Sequence, residues 1–502
     1  MSKRLTALIS ACLLVSSAFA ACGGQSSGGN EGAETTALPG AAETSAADAA
    51  DDAAETPVSE TRDNLPDLDF GGAEVRISCR GDEDTILEIT AEEENGDLVN
   101  DAVFRRNTAV EERLNVKLTC VPGDSWANYD STLKKYRSSI QAGDNDYDII
   151  AAWASRVPLL ATDGLFLDLN SVKYIDQSMP WWNHIMTDSL SVYGKLFFLT
   201  GDIAITELST MYVFFWNKQL GADYGVDNLY QTVFDKLWTI DKMREIVPPL
   251  YADLNGNNEV DSLDQFGAVM KNGSNTCDGL EVAADHSFYL RSDDGGYELN
   301  TDYSRLISAG EKVYELFFNT AGVYCPTEYT PEADSMGQAF RGGRLMLYTE
   351  WLGTIQEEGL NDMDSDFGIL PYPLMREEQQ DYRTFVQAAT VWCMPVTARD
   401  PDMNGAVMEA LAAENYRSVI PAYFETAMKI KYSRDNETAR ILDVMRDGAY
   451  LDFGVMYNLS LGNPYYVFRD VLGPGKSDFA SYLAKHEAAY QKQLDALLAS
   501  FE

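Results

Sequence analysis

"DYDIIAAW", Asp146 to Trp153, carries an unbroken apolar run from Ile149 onward. A short run of that kind, bounded by turn-forming residues, marks a strand covered on both faces, as in a parallel sheet with helices packed above and below. Reading backward from it, "YDSTLKKYRSSIQAG" (Tyr129 to Gly143) has the pattern of a helix, and "NVKLTCV" (Asn115 to Val121) that of a strand. Before these, "VNDAVFRRNTAVEERL" places Val99, Val103, Val110 and Leu114 on one helical face, with Arg105, Arg106, Glu111 and Glu112 turned away from it. The alternating run "AEVRISC", Ala73 to Cys79, opens the series. Strand, helix, strand, helix, strand predicts two right-handed crossovers and a parallel sheet, which puts the chain in the α/β class.

With 502 residues, 45% of them hydrophobic, the chain can bury one large core or two moderate ones, and two lobes are the default expectation. A formal net charge of -41 repels phosphate backbones, so nucleic acid is excluded as a partner. Lys3 and Arg4, then the apolar Leu5 to Phe19, then Ala20 and Ala21, read as an export signal over residues 1–21. The Cys22-Gly23-Gly24 junction that follows resembles the lipobox of bacterial lipoproteins, in which the cysteine is lipidated. Cys12 is the competing position, but it would leave too short an apolar segment before it. Residues 22–64 are Gly, Ser, Ala, Thr and acid without apolar period, a tether of about 35 Å r.m.s. span. The predicted location is therefore the outer face of a cell membrane, held by lipid. Five cysteines remain beyond it, none in CxxC spacing, which gives no support to zinc or thioredoxin-like chemistry.

Across the rest of the chain an ordered series of segments is similar to a known family. "DYDIIAAW", "ATDGLFLDLN", "YGKLFFLTGDIA", "VFFWNKQL", "LWTIDKMREI", "FRGGRLMLYTEW", "SDFGILPYP", "VWCMPVTA" and "ETAMKIKYSRDNETARILDVMRDG" resemble, in that order, the extracellular solute-binding proteins of bacterial ABC importers, specifically the large carbohydrate-binding lipoproteins. The resemblance implies one solute-binding domain, 65–502, with a periplasmic-binding-protein-like fold of two α/β lobes and a ligand cleft between them. One lobe is expected at about 65–200 and 375–420, the other at about 205–370 with much of the C-terminal part, joined by crossings near Leu199 to Ile205 and Ile369 to Pro373. It also implies a monomer that delivers a sugar or oligosaccharide to an ABC permease.

Sugars present C–H faces to aromatic rings and hydroxyls to polar groups, so a sugar site needs Trp or Tyr beside Asp, Glu and Arg. Trp153 and Arg156 follow a buried strand, at the carboxyl edge where open α/β sheets bind ligands. Tyr348, Glu350 and Trp351 follow the strand-like "RLML", Arg80 and Asp82 follow the first strand, and Asp202 and Glu207 lie near a crossing. These nine are the candidate ligand contacts. Trp181, Trp182 and Trp392 read as core or rim.

"DLNGNNEVDSLD", Asp253 to Asp264, has the ligand spacing of a twelve-residue calcium loop: Asp253, Asn255, Asn257, Glu259 through its carbonyl, Asp261 and Asp264. Asn258 replaces the usual glycine and Asp264 the usual glutamate, and a plain Asn/Gly/Asp turn is the competing reading. A calcium ion here would be structural. "GPGKS" (Gly473 to Ser477) lacks the first glycine of a phosphate loop and reads as a turn before a C-terminal helix capped by Ser477. Only His184, His286 and His486 are present, with neither HExxH nor GxSxG. No enzymatic activity is expected. The alternatives are a hydrolase using paired carboxylates or a surface adhesion or scaffold protein.

Overall fold

The computed structural model describes residues 61–226, 228–386, 388–428 and 436–502; the export signal, Cys22 and nearly all of the tether lie outside them. The first sheet is built as the sequence predicts. Strand β1 (Ala73–Cys79) leads through helices α1 (Glu83–Ile89) and α2 (Leu98–Leu114) to β2 (Val116–Pro122), and α3 (Tyr129–Ala142) leads on to β3 (Ile149–Trp153). β1 lies parallel to both, with Ala73 opposite Val116 and Ile77 opposite Ile149.

The carboxylate of Asp97 caps α2 by accepting from the backbone of Val99 and Asn100, and Asn115 ends it in the left-handed conformation, φ 49°. Val99, Val103, Val110 and Leu114 are buried as expected. Arg106 is not turned to solvent, contrary to the one-face reading. It is buried and donates to the carbonyls of Glu88 and Ile89 and to Asn415 Oδ1, each at 2.9 Å. The reason is that α2 is covered on a second side by α1 and by the segment around Asn415, and the guanidinium satisfies the otherwise orphaned carbonyls that end α1.

The second sheet uses β4 (Tyr212–Asn217), β5 (Phe266–Val269), β6 (Val323–Tyr324), β7 (Leu345–Trp351) and β8 (Phe367–Leu370), in the order β8-β4-β7-β5-β6. β4 runs antiparallel to both its neighbours, while β5 is parallel to β7 and β6. The chain then returns, and β9 (Thr390–Cys393) joins the first sheet antiparallel to β3, with Thr390 opposite Trp153. The outward connection begins where Leu199 bridges Trp392 and runs to β4. The return begins only after Leu370, because Ile369 and Leu370 are still paired to β4 in the second sheet.

Glycine is required where the outward connection starts. Gly201 has φ 139°, and a Cβ there would stand 2.3 Å from the carbonyl oxygen of Trp181. The last helix, α4 (Phe479–Ala499), begins after Asp478, one residue later than the predicted Ser477 cap, and no side chain caps it. Its burial supplies the anchor instead: Phe479, Leu483, Tyr490, Leu494 and Leu497 face inward. Phe479 sits so close to Gly310 that a Cβ there would come within 2.7 Å of its ring.

Cys79 and Cys120 are free, with their sulfurs 3.6 Å apart. The two cysteines are not cross-strand partners but are offset by two residues, since Cys79 faces Pro122 and Cys120 faces Ile77. No helix among the described residues is long and apolar enough to cross a membrane.

Asp148, at the foot of β3, is fully buried and takes hydrogen bonds from Arg76 Nε and Arg399 Nη2, both at 3.0 Å. Burial opposes its charge, but the two guanidiniums overcome that and hold the carboxyl at about 2, below the usual 3.8. A depressed carboxyl contributes stability that is complete above the unfolded value and disappears as pH falls through the folded one. Asp148→Asn is therefore expected to lose about 2 kcal/mol at pH 7 and to show a flatter stability profile between pH 4 and 2, measured by urea unfolding.

Candidate functional site

Three loops meet at the carboxyl edge of the first sheet. The turns after β1 and β2 press together, with Gly123 N donating to Cys79 O at 2.8 Å and Gly81 N to Asp124 O at 3.2 Å. A Cβ on Gly81 would lie 2.4 Å from Gly123 O, so the approach depends on glycine. This contact brings Asp82 beneath Trp126, whose backbone N–H donates to the Asp82 carboxylate at 3.2 Å. The end of β3 supplies Trp153, and the third loop, which follows it, supplies Arg156. The Arg80 guanidinium carbon is 5.6 Å from the centre of the Trp153 ring and that of Arg156 is 6.0 Å, while Tyr129 meets the ring edge-on at 6.2 Å. Arg156 is ion-paired to Asp130.

Of the predicted contacts on this edge, Arg80, Asp82, Trp153 and Arg156 are thus gathered in one place. Trp126 was not foreseen. It is 66% exposed, an indole offered to solvent beside them. The one signal for it was its position in "PGDSWANYD", a turn-rich loop directly after a strand.

On the second sheet, β7 delivers Tyr348, Glu350 and Trp351 to its end. Glu350 is buried against Lys271 Nζ at 2.5 Å. Burial lifts its carboxyl, and Lys271 works the other way. Trp351 is half-buried and donates from Nε1 to Glu357 at 3.0 Å. Tyr348 is a core ring, fully buried and packed with Phe215 and Phe340; only its hydroxyl turns toward Glu350 and Glu358. The two halves approach one another near Glu357. Burial raises its carboxyl, against the Trp351 hydrogen bond, and the charge of Asp84 from α1 of the first sheet adds to the effect.

Asp202 and Glu207 lie elsewhere, in the outward connection. Asp202 accepts twice from Arg446, at 2.6 Å to each oxygen. Glu207 accepts from Asn183 at 2.8 Å and from Thr200 at 3.2 Å. They border a separate cavity of about 180 Å³ with Trp181, Asn183, Gly201 and Arg446. Within the connection, both carboxylates are held by protein partners.

The acidic loop Asp253 to Asp264 is closed at its base by a bridge between Ala252 and Gln265. Asp253 accepts from the backbone of Gly256 at 2.7 Å and Asn258 at 2.9 Å, and Asn258 adopts φ 60°, the left-handed turn its position required. The amides of Asn255 and Asn257 donate to Asp261. Glu259 N donates to Asn257 Oδ1, and the buried Asp264 accepts from Leu254, Asp261 and Tyr251. Among the described residues, no three His, Cys, Asp or Glu side chains cluster as a metal site. Any cation here would rely on amide and backbone oxygens too.

Two sheets with crossing connections and aromatic, charged loops at facing edges define the class of two-lobed substrate-binding proteins. The chain belongs to the bacterial extracellular solute-binding proteins: the family's model matches residues 108–408, more than half of its length. No curated protein matches the sequence significantly. Among solved structures, the GacH receptor of Streptomyces glaucescens, determined unliganded and with acarbose, aligns at TM-score 0.53 and 14% identity over 84% of this chain and 99% of its own. UspC of M. tuberculosis aligns at 0.52 and 15%, over 84% and 100%. The substrate-binding protein Lmo0181 of Listeria monocytogenes, in complex with cycloalternan, aligns at 0.51 and 13%, over 86% and 99%.

Beneath the first-sheet edge, Glu88 at the end of α1 is fully enclosed and accepts from Thr206 N at 2.9 Å. Burial pushes its carboxyl up to about 7 from the usual 4.5, hydrogen bonds from Thr206 notwithstanding. A carboxyl that holds its proton more tightly when folded adds stability below its unfolded value, and that increment is lost as pH rises through the folded one. Glu88→Gln is expected to abolish a fall of up to about 3 kcal/mol in unfolding free energy between pH 4.5 and 8, measured by denaturant titration.

Proposed function

We propose that this protein captures a saccharide between its two halves and presents it to an ABC import permease, held at the cell surface by a lipid on Cys22. The observation that carries the reading is the pairing of indoles with charged groups on both facing edges: Trp126 and Trp153 with Arg80, Asp82 and Arg156 on one, Trp351 with Glu350 and Glu357 on the other. Sugar C–H faces pack on such rings while the charged groups take the hydroxyls. The saccharides named with GacH and Lmo0181 agree with this choice. A ligand that touches both edges favours the closed arrangement, and that arrangement is what the permease reads. The reading is of a binder with no chemical step, acting as a monomer.

Isothermal titration against a panel of neutral and acidic oligosaccharides tests it. Trp351→Ala is expected to weaken the saccharide that binds by tenfold or more, about 1.4 kcal/mol, with the free protein still folded at the assay temperature. Release of a product from the bound saccharide would favour a hydrolase instead.

Calcium in the Asp253 to Asp264 loop belongs to the same proposal. The oxygens of Asp253, Asn255, Asn257, Asp261 and Asp264 with the Glu259 carbonyl would hold it, once both asparagines turn their oxygens inward. Its task would be to pin the loop ahead of β5. Removing calcium with EGTA is expected to lower the melting temperature by several degrees and re-addition to restore it. Asp253→Ala should eliminate the response; a melting temperature indifferent to calcium would refute the site.

A further inference from the structure

Arg80 is only 7% exposed, and its Nε is buried with no hydrogen-bond partner among the described residues. Its ion pair with Asp82 is stretched to 3.8 Å. Arg156 Nε and Trp153 Nε1, in the same cluster, are likewise buried and without a partner. A buried guanidinium nitrogen without a hydrogen bond is costly, and the long ion pair with Asp82 offsets little of that cost. The surrounding acids supply little. The side chain of Asp130, the partner of Arg156, is 69% exposed, which screens it. Glu88 acts on Arg80 through space, but burial leaves its carboxyl only partly ionised at neutral pH. On a chain with a net charge of -41, two cations converging on one indole with unfilled donors stand apart from everything around them.

We infer that the saccharide carries a carboxylate, that is, a hexuronate unit whose acid group lies between Arg80 and Arg156. This rests on the saccharide reading above and narrows it. A hexuronate combines the two chemistries the edge offers. Its C–H face suits the exposed Trp126 indole, and its planar carboxylate accepts from guanidinium nitrogens in pairs. A neutral hexose has a hydroxymethyl group at the corresponding carbon and would add no charged acceptor for Arg80 Nε and Arg156 Nε, which is how a polar site rejects a near-isostere.

The test is isothermal titration of the full protein with trimers of galacturonate, mannuronate and guluronate, beside the corresponding neutral hexose trimers. At least one uronate is expected to bind tenfold or more tightly than its neutral counterpart, with affinity falling as sodium chloride is raised. Arg80→Met is expected to reduce that affinity at least tenfold while leaving the ligand-free melting temperature unchanged or higher, since it removes a buried charge held only by a long ion pair. A melting temperature that drops in Arg80→Met with uronate affinity intact would make Arg80 a structural group and overturn the proposal. Neutral trimers binding as tightly as the uronates would overturn it while leaving saccharide capture standing. Binding of neither series would remove both.

Discussion

The fold depends on a knot of buried hydrogen bonds where the chain passes from one sheet to the other. Thr206, midway along the outward connection, donates from its hydroxyl to Thr390 Oγ1 at 2.8 Å and accepts from Thr390 N at 2.8 Å, so the outward path and the returning β9 are fastened to each other. Thr200 donates to the carbonyl of Thr390 at 2.9 Å, and Glu88 takes the Thr206 N–H. Each bond is worth about 1 kcal/mol net, but leaving a buried partner unsatisfied costs roughly 1 to 3 kcal/mol, so the set holds together or fails together. Because Glu88 belongs to α1, which follows the Arg80 loop, the same knot fixes where the cationic edge stands relative to the second sheet.

That edge and the one facing it are chemically unequal. The first sheet offers guanidiniums and an exposed indole; the second offers carboxylates, one of them neutralised by Lys271. A ligand that spans them must therefore present different groups to each side, which gives it a direction in the site as well as a position.

Strand β3 was legible because burial on both faces leaves a continuous apolar run, β1 was legible by its alternation, and the run ending at Trp153 put Trp153 and Arg156 at the carboxyl edge of the sheet by itself. Arg106, Trp126 and Tyr348 were less legible for three different reasons. Arg106 lies on the polar face of a helix by periodicity, and only the arrival of α1 and Asn415 from distant sequence encloses it. Trp126 sits in a loop, where no period predicts exposure. Tyr348 occupies a strand position beside real edge residues, and which face of the pleat points to the core is fixed by Phe215 and Phe340.

By itself the amino-acid sequence determined the α/β class, the order of strands and helices in the first sheet and the aromatic-plus-charged loops at strand ends, since each follows from local period and local chemistry. The tertiary structure alone decided that Arg80, Asp82, Trp126, Trp153 and Arg156 form one cluster and that Asp202 and Glu207 stand apart from it, with Asp202 tied to Arg446. Those assignments turn on non-local pairings, the β1 to β2 loop contact and the Arg446 ion pair, which join residues far apart in the chain and leave no periodic trace in it.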